Sequence, residues 1–360
     1  MSQGETTVGI VGMGYWGPNL LRVLGEMVDV RVKWICDLDE SRLQRYARRH
    51  PSVATTSDVD HLFNDPEVDA VFLATPVFTH FDLASRSLEA GKHTFVEKPL
   101  ASSSELADEL VRLAEERDLR LMCGHTFVYS PPVRAMKEML TRDELGSLFF
   151  VSSSRVNLGL HQRDVSVVWD LGPHDFSILV YWLDEMPCKV RAAGRDSIVP
   201  GVPDVAFVTL TFPSGLIANV ELSWLAPSKL RRTVVVGSEK MVVYEDGAPE
   251  PLRVFDHGVV YEDPDTFGEW HLSYRTGDIV SPNVASYEPL AAELTDFVEA
   301  VRSGKSLELH TDLGRKVVRI AEAADYSLRN GGTDVLIDGG RFARAPLRRA
   351  DDVVDGRAIG

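Results

Sequence analysis

The sequence predicts two domains of different architecture. An α/β domain with a doubly wound parallel sheet is expected over residues 1–125, where apolar β-branched runs alternate with helix-periodic segments. From about residue 146 a period-two pattern replaces this alternation and predicts an α+β domain on an open antiparallel sheet, over residues 126–330. A length of 360 residues suits two domains. Residues 331–360 are expected to be a C-terminal segment and tail.

Composition and charge exclude several classes of partner. The net charge of −16 argues against nucleic acid, because a protein that binds phosphate backbones carries a basic face. No apolar run approaches the roughly 18 residues of a membrane span. Cys36, Cys123 and Cys188 are far apart, which predicts no metal site and favours a reducing compartment. The polar start, Met1–Glu5, lacks a secretion pattern, so we expect a cytoplasmic protein.

The first strand leads directly into a glycine motif. Thr7–Val11 is strand-like, the letters G-M-G-Y-W-G follow over residues 12–17, and a helix-periodic segment comes next. In this context Gly12 permits a tight turn, Gly14 lets the backbone approach a pyrophosphate, and Gly17 allows close helix packing. The helix N-terminus adds N–H groups for phosphates. A dinucleotide site is therefore favoured over a glycine-rich turn without a ligand.

An acidic residue ends the second predicted strand. Val30–Cys36 runs into Asp37, about 20 residues after the glycines, where an acid binds a ribose 2′-hydroxyl and repels a 2′-phosphate. NAD is therefore favoured over NADP. Arg42 offers an alternative site for a 2′-phosphate, while Asp39 or Ser41 is also suited simply to capping the next helix.

The remaining parallel strands are expected over residues 68–74, 94–98 and 119–123. Ligands of such sheets lie beyond the carboxyl ends of the strands, so the residues after each strand should line one crevice. The residues expected to bind the cofactor are Gly12, Gly14, Tyr15, Trp16, Gly17, Asp37, Thr75, Pro76, His80, Glu97, Lys98 and His125.

The second domain should contain strands and three long helical segments. A strand is expected over Leu148–Asn157, and a hairpin joins the alternating runs Ala206–Phe212 and Leu216–Trp224. Helical periodicity over Leu290–Val301 and Thr311–Leu328 predicts two late helices, each followed by glycine. A third segment, residues 166–183, is helical in part.

Lys98 and His174 carry the chemistry best suited to removing hydride from an alcohol. As hydride leaves a carbinol its hydroxyl proton must also leave, and a histidine titrates near the working pH. Lys98 ends an apolar strand, where a lysine is costly without a partner or a role, and it suits stabilising the alkoxide. Asp170, four residues before His174, is placed to orient the imidazole, although the intervening Gly172-Pro173 disturbs a regular helix.

Each of these residues also has a structural interpretation. His174 alone would more often be a satisfied core histidine, Lys98 a partner of Glu97, and Asp170 a helix cap. His125 and Tyr129 suit core positions as well as ligand contact. The catalytic interpretation is favoured because the candidates occur together and follow a cofactor motif.

The sequence resembles the glucose–fructose oxidoreductase / inositol dehydrogenase / MocA (Gfo/Idh/MocA) family over about residues 6–330. Three motifs in order carry the resemblance: the glycine motif at residues 12–17, Glu97-Lys98-Pro99 and Asp170-x-x-x-His174. The resemblance implies a Rossmann domain joined to an open-sheet domain that often forms the subunit interface, hence a homodimer or homotetramer. It implies NAD(P)-dependent oxidation or reduction of a secondary alcohol of a sugar or cyclitol. It also makes Lys98 and His174 the catalytic pair, with Asp170 as third member.

Two segments suggest the substrate. Tyr15–Leu20 and Arg155–Gly159 are most similar to family members that act at C3 of nucleotide sugars, which implies UDP-N-acetylglucosamine or its uronic acid. A free sugar, a sugar phosphate or an aminocyclitol remains the alternative substrate, and an NAD-binding sensor without activity the alternative of another class. The expected substrate-binding residues are Lys98, Tyr129, Arg155, Asn157, Arg163, Asp170 and His174.

Overall fold

The computed structural model describes residues 5–159, 165–262 and 271–337. The chain divides into two compact units. The first contains the described chain up to Tyr129 together with Tyr287–Arg319, and the second contains the described parts of Ser130–Ser286 and the chain from Ile320. The boundary expected at residue 125 assigned the late helical stripe to the second domain, whereas here that stripe returns to the first unit.

The first unit is built on a parallel sheet. Its strands are β1 (Thr6–Val11), β2 (Val30–Cys36), β3 (Ala54–Thr56), β4 (Ala70–Leu73), β5 (His93–Glu97) and β6 (Leu121–Gly124). Its first five helices are α1 (Gly17–Glu26), α2 (Glu40–Arg49), α3 (Asp60–Phe63), α4 (His80–Glu89) and α5 (Ser104–Glu116). The strand order β3-β2-β1-β4-β5-β6, with every pair parallel, confirms the doubly wound prediction. The order reverses between β1 and β4, which is where such sheets bind ligands.

Helix starts follow the capping signals in the sequence. The Asp39 carboxylate accepts hydrogen bonds from the main-chain N–H groups of Ser41 and Arg42, at 2.9 and 3.3 Å, and so begins α2. The Ser103 hydroxyl accepts from the N–H of Leu106 at 3.3 Å and begins α5. The capping role left open for Asp39 is thus the one observed.

The second unit is built on a nine-stranded open sheet. Its helices are α6 (Pro131–Thr141), α7 (Val167–Asp170) and α8 (Gly172–Leu183). Its strands are β7 (Leu148–Leu158), β8 (Lys189–Arg195), β9 (Val205–Thr211), β10 (Ile217–Ser223), β11 (Leu225–Gly237), β12 (Met241–Glu245), β13 (Leu252–Glu262), β14 (His271–Val280) and β15 (Val335–Leu336).

The sheet order is β14-β13-β12-β11-β7-β10-β9-β8-β15. The expected hairpin is β9–β10, but β10 also pairs with β7 in parallel, so the sheet is mixed rather than wholly antiparallel. Alternate residues such as Val208, Leu210 and Leu222 are buried on one face, while Phe207 and Asn219 are exposed on the other. Helix α8 packs against β10 on the buried face, since a side chain at Gly172 would meet Leu222.

Two late helices complete the described fold, α9 (Pro289–Ser303) and α10 (Glu308–Arg329). Phe297 of α9 packs edge-on against Phe72 of β4 and Phe95 of β5, with ring centroids 5.3 and 5.7 Å apart. This contact explains why α9 belongs to the first unit. Of the helices in the described chain, none combines the length and the hydropathy needed to cross a membrane.

Candidate functional site

The glycine motif forms a loop that is closed on one side and open on the other. Gly12 has φ +92°, and a Cβ there would lie 2.5 Å from the carbonyl oxygen of Ala74. A Cβ on Gly17 would lie 1.9 Å from the carbonyl oxygen of Gly12, so the start of α1 packs directly on the turn. At Gly14 a Cβ would meet nothing within 4 Å. The loop therefore presents bare backbone at Gly14, as the approach of a pyrophosphate requires.

The amino end of α1 suits an anion. Trp16 is its N-cap residue, and within the described chain neither a side-chain cap nor an acidic residue occupies its first turn. Tyr15 is 81% exposed, and its ring lies edge-on to that of Trp16 with centroids 6.0 Å apart. The N–H groups of this end, with their partial positive charge, fit the phosphates of a dinucleotide.

Asp37 ties the end of β2 to the glycine loop. One carboxylate oxygen accepts from the N–H of Met13 at 2.6 Å, and the other accepts from the N–H of Asp39 at 2.8 Å. Arg42 reaches the same carboxylate at 3.5 Å. Its position at the strand end fits the ribose of NAD, and Arg42 is held against the acid rather than left for a 2′-phosphate.

His80 links the loops that follow β4 and β5. Its ring nitrogens lie 2.7 Å from the carbonyl oxygen of Thr75 and 2.8 Å from that of Pro99, and the side chain is 1% exposed. Burial lowers the pKa of His80. The Thr79 hydroxyl, which donates to the Pro76 carbonyl at 2.8 Å, tightens the same loop. His80 thus fixes the loop that contains Thr75 and Pro76 through buried hydrogen bonds. Contact of these three residues with the cofactor stays a prediction.

The end of β5 joins a buried acid to a half-buried lysine. Glu97 is 6% exposed, and burial raises its pKa to about 7 against the opposing effect of the Lys98 charge. Lys98 is partly accessible, and the Lys98–Pro99 peptide bond is cis. Lys98 therefore lies at the carboxyl edge of the sheet, where the resemblance predicts a catalytic lysine.

His125 and Tyr129 occupy buried positions after β6. Burial lowers the pKa of His125 to about 3, so the ring is neutral at physiological pH. The Tyr129 hydroxyl donates to Asp296 at 2.7 Å and lies 3.1 Å from Nε2 of His310. The core role left open for both residues is what their burial indicates, and their ligand contacts stay predictions.

In the second unit, the interruption expected at Gly172-Pro173 is a boundary between two helices. Asp170 ends α7, and His174 lies in the first turn of α8; both side chains are partly accessible. The indole N–H of Trp224 donates to Oδ2 of Asp170 at 3.0 Å. The Ser177 hydroxyl donates to the carbonyl of His174 at 2.8 Å, which fixes the start of α8.

Arg155 forms a buried ion pair. It contacts Asp175, and both side chains are only 4% exposed. Ser153 donates to the other carboxylate oxygen of Asp175 at 2.7 Å. The charge of Arg155 is thus paired within its own unit, and its contact with the substrate stays a prediction.

Asn157 and Arg163 complete the expected substrate residues. Oδ1 of Asn157 is buried and lacks a hydrogen-bond partner among the residues described, and a Cβ on Gly159 would lie 2.9 Å from it. An orphaned amide oxygen of this kind is suited to a polar ligand or water. Arg163 lies outside the described residues.

Three residues that contact predicted site residues or their neighbours were not predicted from the sequence. They are Asp175, which pairs with Arg155, Trp224, which donates to Asp170, and, in the first unit, Glu293 of α9, which accepts from Thr126 at 2.6 Å. Glu293 carried a usable signal, because it is one turn from Phe297 on the apolar stripe of α9, where an acid is out of place. Asp175 and Trp224 gave no such signal, since their partners are 20 and 54 residues away.

Comparison with protein families matches both parts of the chain. Residues 6–125 match the oxidoreductase family with an NAD-binding Rossmann fold, and residues 133–243 match the GFO/IDH/MocA C-terminal domain. An uncharacterised oxidoreductase of Escherichia coli, YdgJ, is 32% identical over 69% of this chain and 73% of its own length.

Two further matches name an activity or a pathway. UDP-N-acetylglucosamine 3-dehydrogenase of Acidithiobacillus ferrooxidans is 27% identical over 71% of this chain and 77% of its own. The solved structure of GenD2 from gentamicin A biosynthesis, a complex with NAD, superposes with a TM-score of 0.79 at 25% identity, covering 93% of this chain and 97% of that one. With the glycine loop, Asp37 and Lys98 in the positions described, the chain belongs to the Gfo/Idh/MocA family of NAD-binding oxidoreductases, which act on CH–OH groups of sugars or cyclitols.

Proposed function

We propose that this protein oxidises a secondary hydroxyl, at C3 of a nucleotide sugar, with Lys98 and His174 as its catalytic pair. The observation that carries the proposal is the likeness to UDP-N-acetylglucosamine 3-dehydrogenase, which is 27% identical over 71% of this chain. The resemblance of the segment Arg155–Gly159 to nucleotide-sugar enzymes supports the same assignment. The orphaned oxygen of Asn157 supports it, because a hydroxyl-rich substrate offers donors for that acceptor.

Each residue of the proposed site has a defined task. NAD, when bound, supplies the hydride acceptor. His174 takes the proton of the substrate hydroxyl, and Lys98 donates a hydrogen bond to the same oxygen as negative charge develops. Asp170, fixed by Trp224, orients the imidazole and favours its charged form once the proton has moved. Gly14 and the amino end of α1 hold the pyrophosphate, and Asp37 holds the ribose.

A substrate panel tests the proposal. The protein is incubated with NAD and either UDP-sugars or free sugars, inositols and aminocyclitols, while NADH absorbance and product mass are followed. We expect turnover with UDP-N-acetylglucosamine or its uronic acid and a product lighter by two hydrogens. Turnover restricted to substrates without a nucleotide would overturn the nucleotide-sugar assignment.

Two substitutions test the catalytic pair. Lys98→Ala and His174→Ala should each lower kcat by at least about 100-fold, the range expected for loss of a general base or an oxyanion donor. Lys305→Ala is the matched control, since Lys305 lies on the same unit as Lys98 and its side chain is 66% exposed. Full activity of both active-site variants would contradict the assignment.

An aminocyclitol or related antibiotic precursor is the second candidate substrate. The likeness to GenD2 from gentamicin A biosynthesis favours it, at an identity similar to that of the nucleotide-sugar enzyme. The same panel decides between the two, because only the first candidate requires the nucleotide.

We also propose a cytoplasmic homo-oligomer that pairs through the exposed face of the second unit's sheet. Phe207 and Ile217 are 55% and 44% exposed on that face, which supports burial against a second copy. Light scattering should give a dimer or tetramer, and Phe207→Glu should shift it toward monomer.

The free thiols of Cys36, Cys123 and Cys188 support a reducing compartment.

A further inference from the structure

Helix α9 runs antiparallel to β6 in the first unit. Near its start, Oε2 of Glu293 accepts a hydrogen bond from the Thr126 hydroxyl at 2.6 Å, just after β6 ends. At its other end the carbonyl of Gly304 accepts from Arg120 at 2.6 Å, just before β6 begins. The start of α9 therefore lies at the carboxyl edge of the sheet, the same edge as Lys98.

The same packing brings Glu293 to the level of Glu97. Phe95 and Glu97 are two residues apart on one face of β5, and Phe297 and Glu293 are one turn apart on one face of α9. The two phenylalanine rings are 5.7 Å apart. Gly124, which pairs with Glu97 in the sheet, would place a Cβ 3.3 Å from Oε2 of Glu97. The packing of β5 against α9 therefore brings the two carboxyl groups close enough for the charge of Glu97 to act on Glu293.

Neither carboxyl group is well satisfied as an anion. Glu97 is 6% exposed and Glu293 is fully buried, and on each the oxygen Oε1 lacks a hydrogen-bond partner within the described chain. Burial raises the pKa of Glu97 to about 7 and that of Glu293 well above its ordinary range. Both pKa values are raised because a negative charge on a buried carboxyl group is poorly solvated. Two neighbouring buried carboxylates cannot both ionise cheaply.

The groups around the two acids favour a negative charge on Glu97 more than on Glu293. Lys98 acts on Glu97 directly, through its charge and its main chain. Glu293 instead receives neutral donors, the Thr126 hydroxyl and the main chain at His125. Both acids act on the buried thiol of Cys123, which therefore lies near the pair. The ring of His310 on α10 acts on the His125 ring, which is neutral. A single negative charge is therefore best placed on Glu97.

We propose that Glu97 and Glu293 form a buried acid pair that holds one proton, on Glu293, and one negative charge, on Glu97. The charge on Glu97 orients the ammonium of Lys98 toward the substrate oxygen, so both acids are positioning residues. This inference rests on the proposed catalytic role of Lys98. It assigns a task to Glu293, a residue of the first unit that follows residues 130–286 in the sequence.

Infrared spectroscopy tests the pair without substrate. Above pH 7 the protein should show the carbonyl stretch of a protonated carboxyl group, which Glu293→Gln removes and Glu97→Gln does not. As the pH falls through about 7, a second such band should appear in the wild type and in Glu293→Gln but not in Glu97→Gln. Glu299→Gln, an exposed position on the same helix, should keep both bands. An unchanged spectrum for Glu293→Gln above pH 7 would overturn the proposal.

The pH dependence of kcat tests the positioning role. Above pH 7, Glu97→Gln removes the charge beside Lys98 and should lower kcat by at least about tenfold. The deficit should shrink below pH 7, where the wild-type Glu97 is also neutral. A merely structural defect would give a deficit independent of pH, which would contradict the role. Glu293→Gln mimics a protonated acid, so its ratio to the wild type should not vary with pH.

The two proposals can fail separately. If Lys98→Ala keeps its turnover, the catalytic assignment fails while the infrared bands remain informative. If Lys98→Ala is inactive but Glu293→Gln leaves the spectrum unchanged, the catalytic assignment stands and the acid pair fails.

Discussion

The indole N–H of Trp224 donates a 3.0 Å hydrogen bond to the carboxylate of Asp170. Trp224 is fully buried directly after β10, so it fixes the acid at the end of α7 against the sheet of the second unit. Asp170 precedes His174 by four residues. A rigid acid before a half-buried histidine is the support that a general base requires.

Substitutions of Asp170 and Trp224 should separate the effect of the Asp170 charge from the effect of its fixed position. Asp170→Asn keeps an acceptor for Trp224 but removes the charge, and we expect kcat to fall by about 10–100-fold. Trp224→Phe keeps the charge but frees the acid, and about 3–10-fold is expected, close to the worth of one hydrogen bond. Steady-state kinetics and urea unfolding of both variants check this. A larger loss of kcat in Trp224→Phe than in Asp170→Asn would show that the acid is only structural.

Two glycines of the nucleotide loop should respond in opposite ways to a methyl group. Gly17→Ala would place its Cβ 1.9 Å from a main-chain oxygen, so we expect a loss of stability of about 2–3 kcal/mol or failure to fold. Gly14→Ala meets nothing, so the fold should be retained while NAD binds about tenfold more weakly or worse.

Thermal unfolding and calorimetric titration with NAD measure the two effects. Normal NAD affinity in a well-folded Gly14→Ala variant would contradict the placement of the pyrophosphate.

Replacing Asp37 should change the preference between the two cofactors. Asp37→Ala removes the ribose ligand and frees Arg42, which lies 3.5 Å from that carboxylate, for a 2′-phosphate. The ratio of kcat/KM with NAD to kcat/KM with NADP should fall by at least about tenfold. The double variant with Arg42→Ala should lose the gained NADP activity. An unchanged ratio in Asp37→Ala would exclude this acid as the discriminator.

The ion pair between Arg155 and Asp175 should matter first for stability. Asp175→Asn removes the buried carboxylate that pairs with Arg155 and should cost about 3–5 kcal/mol of unfolding free energy. Replacing both residues with apolar ones should cost less than either single change, as measured by urea unfolding. If Arg155→Met is stable but its KM for substrate rises, the sequence-based role as a substrate ligand is the better one.

The stability of the first unit should depend on pH through Glu97. Its pKa is raised from the ordinary 4.5 to about 7, so its contribution is fully present below pH 4.5 and is lost as the pH rises through about 7. The Glu97→Gln variant cannot lose this contribution. Its unfolding free energy minus that of the wild type should therefore increase by up to about 3 kcal/mol between pH 4.5 and pH 7.

His125 opposes this trend, because its lowered pKa makes its contribution present above pH 6.5 and lost toward about 3. The comparison of variant and wild type, rather than either curve alone, is therefore the informative quantity. A difference that stays constant with pH would show that Glu97 titrates normally.

The sequence predicted those features whose signals are local. The strand before Gly12, the acid after β2 and the helix cap at Asp39 each depend on neighbouring residues, and each was found where expected. The short strand β3 and helix α3 escaped prediction because three or four residues are too few to show a period. The parallel pairing of β10 with β7 also escaped, since nothing local in an alternating strand specifies its second neighbour.

The features that were not predictable come from distant parts of the chain. The partner of Arg155 and the donor to Asp170 are set by tertiary packing, and so is the return of α9 to the first unit. Glu293 was visible only as an acid within an apolar stripe. Its meaning required the contact between Phe297 and Phe95, which brings it close to Glu97.

Transfer of a hydrogen isotope from substrate to cofactor tests the central claim most directly. UDP-N-acetylglucosamine carrying deuterium at C3 is incubated with NAD and the protein, and the reduced nicotinamide is analysed by mass spectrometry. We predict deuterium on the nicotinamide ring, with its formation abolished in Lys98→Ala and His174→Ala. Unlabelled NADH from the labelled substrate, or labelled product at the wild-type rate in both variants, would contradict the account.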